Sequence, residues 1–368
     1  MNRIYVAQPT LAGNERAYVL DCIDSNWISS IGKYIGAFEE RFADFCGVDH
    51  AIAVNNGTTA LHVALVALGV GPGDEVIVPT VTYIATANAV RYCGATPVFA
   101  DATVGSMNLD PAHVSKLIGP RTKGIIPVHL YGHPADMVAI KTIAAQHGLW
   151  VLEDAAEAHG ASVLGRRVGG LSECATFSFF GNKIVTTGEG GMVTTSDREL
   201  AQQLRLYRGQ GVDPDRRYWF PVVGFNYRMT NIQAALGLAQ MERIDHAIER
   251  RAELADWYTD ALSGVTDSLV LPVDADWASS VCWLYTVYLR DGDQARRDSV
   301  MAMLDSDGIE TRPVFYPMHT LPPYQEDRSY PVADLWSQRG LNLPTHLELS
   351  RSDIQRVAQS LARALSVQ

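Results

Sequence analysis

The feature that most constrains this chain is a regular alternation of short apolar runs with amphipathic stretches over its first two-thirds. Residues 51–54 read as a strand, and residues 59–68 as a helix with apolar side chains at helical spacing. The turn Gly71-Pro72-Gly73-Asp74 leads into a strand at 75–79, which is followed by a helix at 83–92. Further strands are predicted at 96–100, 124–128, 150–152 and 176–179, and Met192-Val193-Thr194 adds another. Such alternation implies an α/β fold: a mixed, mostly parallel sheet with helices on both faces. Binding sites in sheets of this kind lie outside the carboxyl ends of the strands.

After Asn231 the pattern changes. Residues 231–262 read as one long, charged helix without an internal break. Beyond it come a strand at 283–289, a helix at 295–304, a strand-like piece at 310–315 interrupted by Pro313, and a closing helix at 352–365. The expected division is a large domain over 1–245 and a smaller α/β domain over 246–368. A chain of 368 residues is long enough for two cores.

Composition narrows the function classes. Hydrophobic residues at 47% and charged residues at 19% describe a folded globular protein. A formal net charge of −11 argues against general nucleic-acid binding, which needs a basic footprint. The cysteines Cys22, Cys46, Cys93, Cys174 and Cys282 are scattered, with no C-x-x-C pair, which disfavours a disulfide framework and a zinc knuckle. The start of the chain, from Met1 to Tyr5, has no signal-peptide apolar region, and no apolar run is long enough to span a bilayer. A cytoplasmic protein is expected.

Two strand ends carry candidate chemistry. Val151-Leu152-Glu153-Asp154 ends an apolar run on a carboxylate, and Phe177-Ser178-Phe179-Phe180-Gly181-Asn182-Lys183 places a lysine after an aromatic run and before Gly188, Gly190 and Gly191. A lysine and an aspartate displayed in this way suit pyridoxal phosphate (PLP): the amine forms a Schiff base with the aldehyde, and the acid pairs with the pyridinium nitrogen. Burial among Phe179, Phe180, Ile184 and Val185 would favour the neutral amine that such chemistry requires. Each residue also has a plainer reading, an exposed loop lysine or a turn-capping aspartate.

Asn55-Asn56-Gly57-Thr58-Thr59-Ala60 lies between a strand and a helix. Free amides at the helix start and the hydroxyls of Thr58 and Thr59 could hold a phosphate. The same segment is equally a simple helix cap, with Thr58 as the capping residue. Tyr83, at a strand-to-helix turn, could stack on a flat ring or belong to the core. His129, His133, His159 and His319 match no metal-ligand spacing, so no metal is expected.

Several segments together make the chain similar to the DegT/DnrJ/EryC1/StrS family of sugar aminotransferases. They are N-N-G-T-T-A-L-H from Asn55, P-T-V-T-Y-I-A-T-A-N-A-V from Pro79, L-E-D-A-A-E-A-H-G-A from Leu152, F-S-F-F-G-N-K from Phe177 and G-F-N-Y-R-M-T-N-I-Q-A-A-L-G from Gly224. G-N-K-I-V-T-T-G-E-G-G-M, Y-R-G-Q-G from Tyr207 and R-P-V-F-Y-P-M-H from Arg312 resemble the branch that makes GDP-perosamine.

The resemblance implies the type I PLP (aspartate-aminotransferase-like) fold and a homodimer with shared active sites, or a tetramer built from it. It implies that Lys183 carries the cofactor, that Asp154 pairs with the ring nitrogen, and that Gly57, Thr58, Thr59 and Ser178 surround the phosphate. Tyr83 would stack on the ring, and Asn226 would reach the phosphate held by the neighbouring subunit. Position 157 is often glutamine in the wider family, where it meets the phenolic oxygen of the cofactor. Glu157 here requires one proton shared between the two oxygens.

The function implied is transfer of an amino group from L-glutamate to C4 of GDP-4-keto-6-deoxymannose, through the PLP and pyridoxamine phosphate (PMP) forms of the cofactor. His159, Arg208, Arg228, Arg312, Tyr316 and His319 are candidate substrate contacts. A related dehydratase branch carries histidine where this chain has Lys183, so the lysine favours amino transfer. The alternatives are amination of a UDP- or dTDP-linked keto sugar and a non-catalytic PLP-binding regulator.

Overall fold

The computed structural model describes residues 2–366; Met1, Val367 and Gln368, at the outer ends of the two expected domains, lie outside the described residues. The expected strands of the first two-thirds form one seven-stranded sheet. They are β1 (His50–Val54), β2 (Glu75–Pro79), β3 (Thr96–Ala100), β4 (Thr122–Ile125), β5 (Trp150–Asp154), β6 (Cys174–Ser178) and β7 (Gly191–Thr195). In space the order is β1-β7-β6-β5-β4-β2-β3. β2 to β6 are mutually parallel, whereas β7 runs antiparallel to both neighbours.

Helices cover both faces, so the strands are apolar throughout rather than alternating. Val76, Ile77 and Val78 of β2 and Ile52, Ala53 and Val54 of β1 are fully buried. On one face Phe38 and Phe42 of the helix Lys33–Cys46 pack onto Phe177 and Phe179, with Phe42 and Phe177 edge to face at 4.8 Å.

A second sheet joins Leu269–Val270, Tyr285–Leu289, Gly340–Leu343 and Arg312–Pro313, in that spatial order and all antiparallel. Its core contains Leu254, Tyr258, Val287, Leu341 and Leu361, closed by the helix Arg351–Ser366. Ile4 belongs to this same core and bridges to Ile309, so the beginning of the chain crosses to the smaller body. A small three-stranded sheet of Ser162–Val163, Arg166–Arg167 and Ala278–Ser279 was not foreseen.

Three expectations need correction. The long helix over 231–262 is two helices, Asn231–Met241 and Ile244–Leu262. No glycine or proline marks the break. Arg243 leaves the helical region (φ −119°, ψ 11°), and the Glu242 carboxylate is drawn to Tyr18 and Asn14 of another element. The first of the two helices packs in the large core, and the second carries Leu254, Tyr258 and Leu262 into the small one. The strand expected at 310–315 shortens to Arg312–Pro313. Asn56, not Thr58, caps the helix Gly57–Ala67: its side chain accepts from the Thr59 amide while the Thr59 hydroxyl accepts from the Asn56 amide.

Candidate active site

A cavity of about 480 Å³ opens at the carboxyl edge of the large sheet, with Gly57, Tyr83, Asp154, Glu157, Lys183 and Arg312 among its lining residues. Asp154 is the last residue of β5 and is 4% exposed. Its Oδ2 accepts from the Thr86 hydroxyl at 2.7 Å and its Oδ1 from the Ala156 amide at 3.2 Å. Burial raises its pKa; the two hydrogen bonds and the nearby Lys183 charge act in the opposite direction.

Lys183 follows β6 on a tight turn closed by its own amide, which donates to the Phe180 carbonyl at 2.9 Å. Its Nζ lies 3.5 Å from Glu157 Oε1 and 3.8 Å from the centroid of the Trp283 ring. Burial depresses the pKa of the amine, and the negative charges of Glu157 and Asp154 oppose that shift. Glu157 is likewise held above the usual carboxylate range by burial, with Lys183 opposing. Its Oε2 accepts from the Tyr131 amide at 2.9 Å. Tyr131 makes that bond from a left-handed backbone conformation (φ 52°, ψ 18°), which costs a non-glycine residue roughly 1–2 kcal/mol.

Gly57 opens the helix that follows β1. A Cβ at this position would stand 2.8 Å from Ser178 Cβ, so only glycine lets the helix start approach the end of β6. The cap occupies the Asn56 and Thr59 amides. Among the described residues the Gly57 and Thr58 amides have no acceptor, and they sit at the positive end of the helix beside Ser178.

These residues fit PLP. The anion cradle, the buried carboxylate and the amine with a depressed pKa stand around one cavity, and the missing Cβ of Gly57 lets the free helix amides sit against Ser178. Thr59 contributes indirectly, since its hydroxyl is committed to Asn55 and Asn56.

Of the candidate substrate contacts, the structure brings Arg312 to the cavity, where it also pairs with Glu310 at 3.6 Å. His159 is not there. It is fully buried against Phe42, Phe177 and Phe179, and neither ring nitrogen has a partner among the described residues. His319 is also buried; its Nδ1 meets the Thr80 hydroxyl at 2.7 Å and its Nε2 faces Asp334 at 3.1 Å. Arg208 is committed to Glu39 and the Ala53 carbonyl, both at 2.7 Å. Arg228, which bridges to Val54 through its backbone, and the exposed Tyr316 and Asn226 do not line the cavity of their own chain.

Sequence reasoning missed Thr86, Trp283, Phe315 and Asn342, which also line the cavity. For Thr86 a signal existed: it lies three residues after Tyr83, within the first turn of the helix Ala85–Tyr92. Trp283 and Asn342 come from the last third of the chain, and nothing in their local sequence points to the site.

The family model for the DegT/DnrJ/EryC1/StrS aminotransferases matches residues 9–362. The chain is 57% identical to a GDP-perosamine synthase of Caulobacter vibrioides, over 99% of this chain and 98% of that protein. It is 44% identical to the GDP-perosamine synthase of Escherichia coli O157:H7, over 98% of each. Among solved structures, S. venezuelae DesV in complex with a ketimine intermediate superposes with a TM-score of 0.91 at 39% identity, covering 96% of this chain and 95% of that one. With the family model matched over residues 9–362 and a relative 57% identical across nearly the whole length, this chain belongs to the DegT/DnrJ/EryC1/StrS aminotransferase family.

Proposed function

We propose that this chain is a PLP-dependent aminotransferase that transfers the amino group of L-glutamate to C4 of GDP-4-keto-6-deoxymannose, giving GDP-perosamine and 2-oxoglutarate. The observation that carries this reading is the convergence of Lys183, Asp154 and Glu157 in one cavity beside an open helix N-terminus. The 57% identity to the Caulobacter vibrioides GDP-perosamine synthase favours a GDP-linked sugar over a UDP- or dTDP-linked one.

When bound, PLP supplies an electron-withdrawing ring and a carrier for the amino group between the two substrates. Asp154, steadied by Thr86 and the Ala156 amide, holds a proton at the ring nitrogen. The Lys183 amine removes the proton from the glutamate Cα and, on the return step, gives one to the sugar C4. Its burial keeps the neutral, basic form accessible. Glu157 Oε1 stands beside that amine as a second proton holder. The Gly57 and Thr58 amides and the Ser178 hydroxyl hold the phosphate. Tyr83, exposed on the cavity rim, offers a face to the ring, and Arg312 offers charge to an anionic substrate.

Asn226, exposed on its own chain, serves the cavity of a second copy, so the working unit is a homodimer or an assembly of such dimers. The chain divides into a cofactor-binding body over 1–245 and a smaller one over 246–368. No helix among the described residues is long and apolar enough to cross a membrane, and a cytoplasmic enzyme supplying surface polysaccharide synthesis, O-antigen included, fits the reading.

The test is an end-product assay with glutamate and GDP-, UDP- or dTDP-linked 4-keto-6-deoxy sugars, resolved by mass. Amination of the GDP sugar is expected. Amination of another nucleotide sugar alone overturns the substrate, and absence of 2-oxoglutarate release overturns the aminotransferase.

A further inference from the structure

One wall of the cavity does not come from the strand ends. Trp283, which precedes the strand Tyr285–Leu289 in the smaller body, presents its ring to the Lys183 amine at 3.8 Å and is only 3% exposed. The ring is locked in place. Its indole Nε1 donates at 2.8 Å to the carbonyl of Asn182, the residue immediately before the lysine. Its backbone amide donates at 3.0 Å to Tyr131, whose own amide holds Glu157. The Tyr131 ring stacks on it at 6.2 Å and 19°. Gly132 makes this approach possible: its φ is +100°, and a Cβ there would stand 2.8 Å from the Trp283 nitrogen.

We propose that Trp283 is a positioning residue for Lys183: its ring face holds the cationic form of the free amine while the cofactor carries the amino group, and so sets how readily that amine exchanges a proton. The proposal rests on the aminotransferase reading, in which Lys183 alternates between proton acceptor and donor. An ammonium over an indole face is attracted by the ring quadrupole, most strongly where water is excluded. The charged and titratable groups around the amine are Glu157 at 3.5 Å, Asp154 and Arg312, with His159 buried in its neutral form. Burial and Arg312 drive the proton off; Glu157, Asp154 and the indole face keep it on. Of these, the indole is the one that favours the cation without being able to take the proton itself.

The experiment uses protein carrying PMP, which leaves the Lys183 amine free. Trace acetylation with isotopic acetic anhydride, quantified on the Lys183 peptide across the neutral-to-alkaline range, reads the titration midpoint of that amine. Trp283→Leu should lower the midpoint by about one pH unit, making the reactive fraction below it roughly tenfold larger. Trp283→Phe keeps a weaker aromatic face and should recover about half of the shift. A role in packing alone would change thermal stability without moving the midpoint. An unmoved or raised midpoint, or a Phe variant no different from Leu, overturns the proposal. If Trp283→Leu does not fold, Trp283→Phe decides it: a midpoint equal to that of the unaltered protein overturns the proposal. Failure of the underlying reading looks different, because the unaltered protein would then give no borohydride-trapped cofactor adduct at Lys183.

Discussion

The Thr86 hydroxyl donates to Oδ2 of Asp154 at 2.7 Å, tying the first turn of a helix to the end of β5 inside the cavity. That bond lowers the pKa of a carboxyl group that burial raises. Thr86→Val removes the donor and keeps the shape. The acid limb of the glutamate half-reaction should therefore move to higher pH, and the rate at neutral pH should fall about tenfold, the cost of one charge-assisted hydrogen bond. Stopped-flow measurements of the half-reaction against pH check this; an unmoved limb contradicts it.

Lys183→Ala removes the amine at the centre of the site. Turnover should fall by at least about a thousandfold, since general acid–base transfer and covalent attachment are lost together. Thermal melting should show an intact fold, because the two groups that the amine meets, Glu157 and the Trp283 ring, both line the cavity. Retention of the original rate on glutamate and the keto sugar would remove Lys183 from the mechanism.

Gly57→Ala tests the phosphate cradle. The added methyl group meets Ser178 Cβ at 2.8 Å and forces the helix start away from β6. Overpacking of this kind costs about 1–3 kcal/mol, so PLP affinity should drop roughly ten- to a hundredfold. Titration with PLP against the unaltered protein reads the change. Equal affinities would move the phosphate elsewhere.

His159 offers a stability prediction with a definite sign. Burial depresses its pKa from 6.5 to about 3. The unfolded chain therefore takes up a proton that the folded chain refuses, and stability present above about pH 6.5 is lost as pH falls towards the folded value. His159→Phe removes that loss together with two unpartnered nitrogens. The variant should melt higher than the unaltered protein at neutral pH, by about 1–3 kcal/mol in stability, and the gap should widen on acidification. Its glutamate half-reaction should be unchanged, since the ring does not line the cavity. A gap that narrows at low pH would contradict the assignment.

Asn226→Ala should weaken PLP retention if Asn226 serves a neighbouring subunit. Mixing it with Lys183→Ala provides the decisive measurement, because a heterodimer regains one site with both residues intact. Activity in the mixture above the sum of the two parents is expected; a mixture no more active than its Asn226→Ala component alone would mean that Asn226 does not serve the neighbouring site.

The strands were legible because both sheet faces are covered, which leaves apolar runs bounded by turns. Lys183 and Asp154 were legible because each ends such a run. The break at Arg243 was hidden because Tyr18 and Asn14, from a distant segment, hold the end of the preceding helix. Arg208 and His319 lie off the cavity of their own chain for a similar reason: the groups that hold them, Glu39, Thr80 and Asp334, belong to other elements. Trp283 carries no local mark of its position over Lys183, since that contact joins segments a hundred residues apart, held by the left-handed turn at Tyr131 and Gly132.

Within the sheet, β1 has a single hydrogen-bonded neighbour, β7, which is the last of the seven strands in the chain. A nascent polypeptide therefore cannot pair β1 within the sheet until nearly two hundred residues have been made. Such distant pairing is slow to form. The phosphate end of the cavity is therefore completed only when the last strand of the sheet is in place.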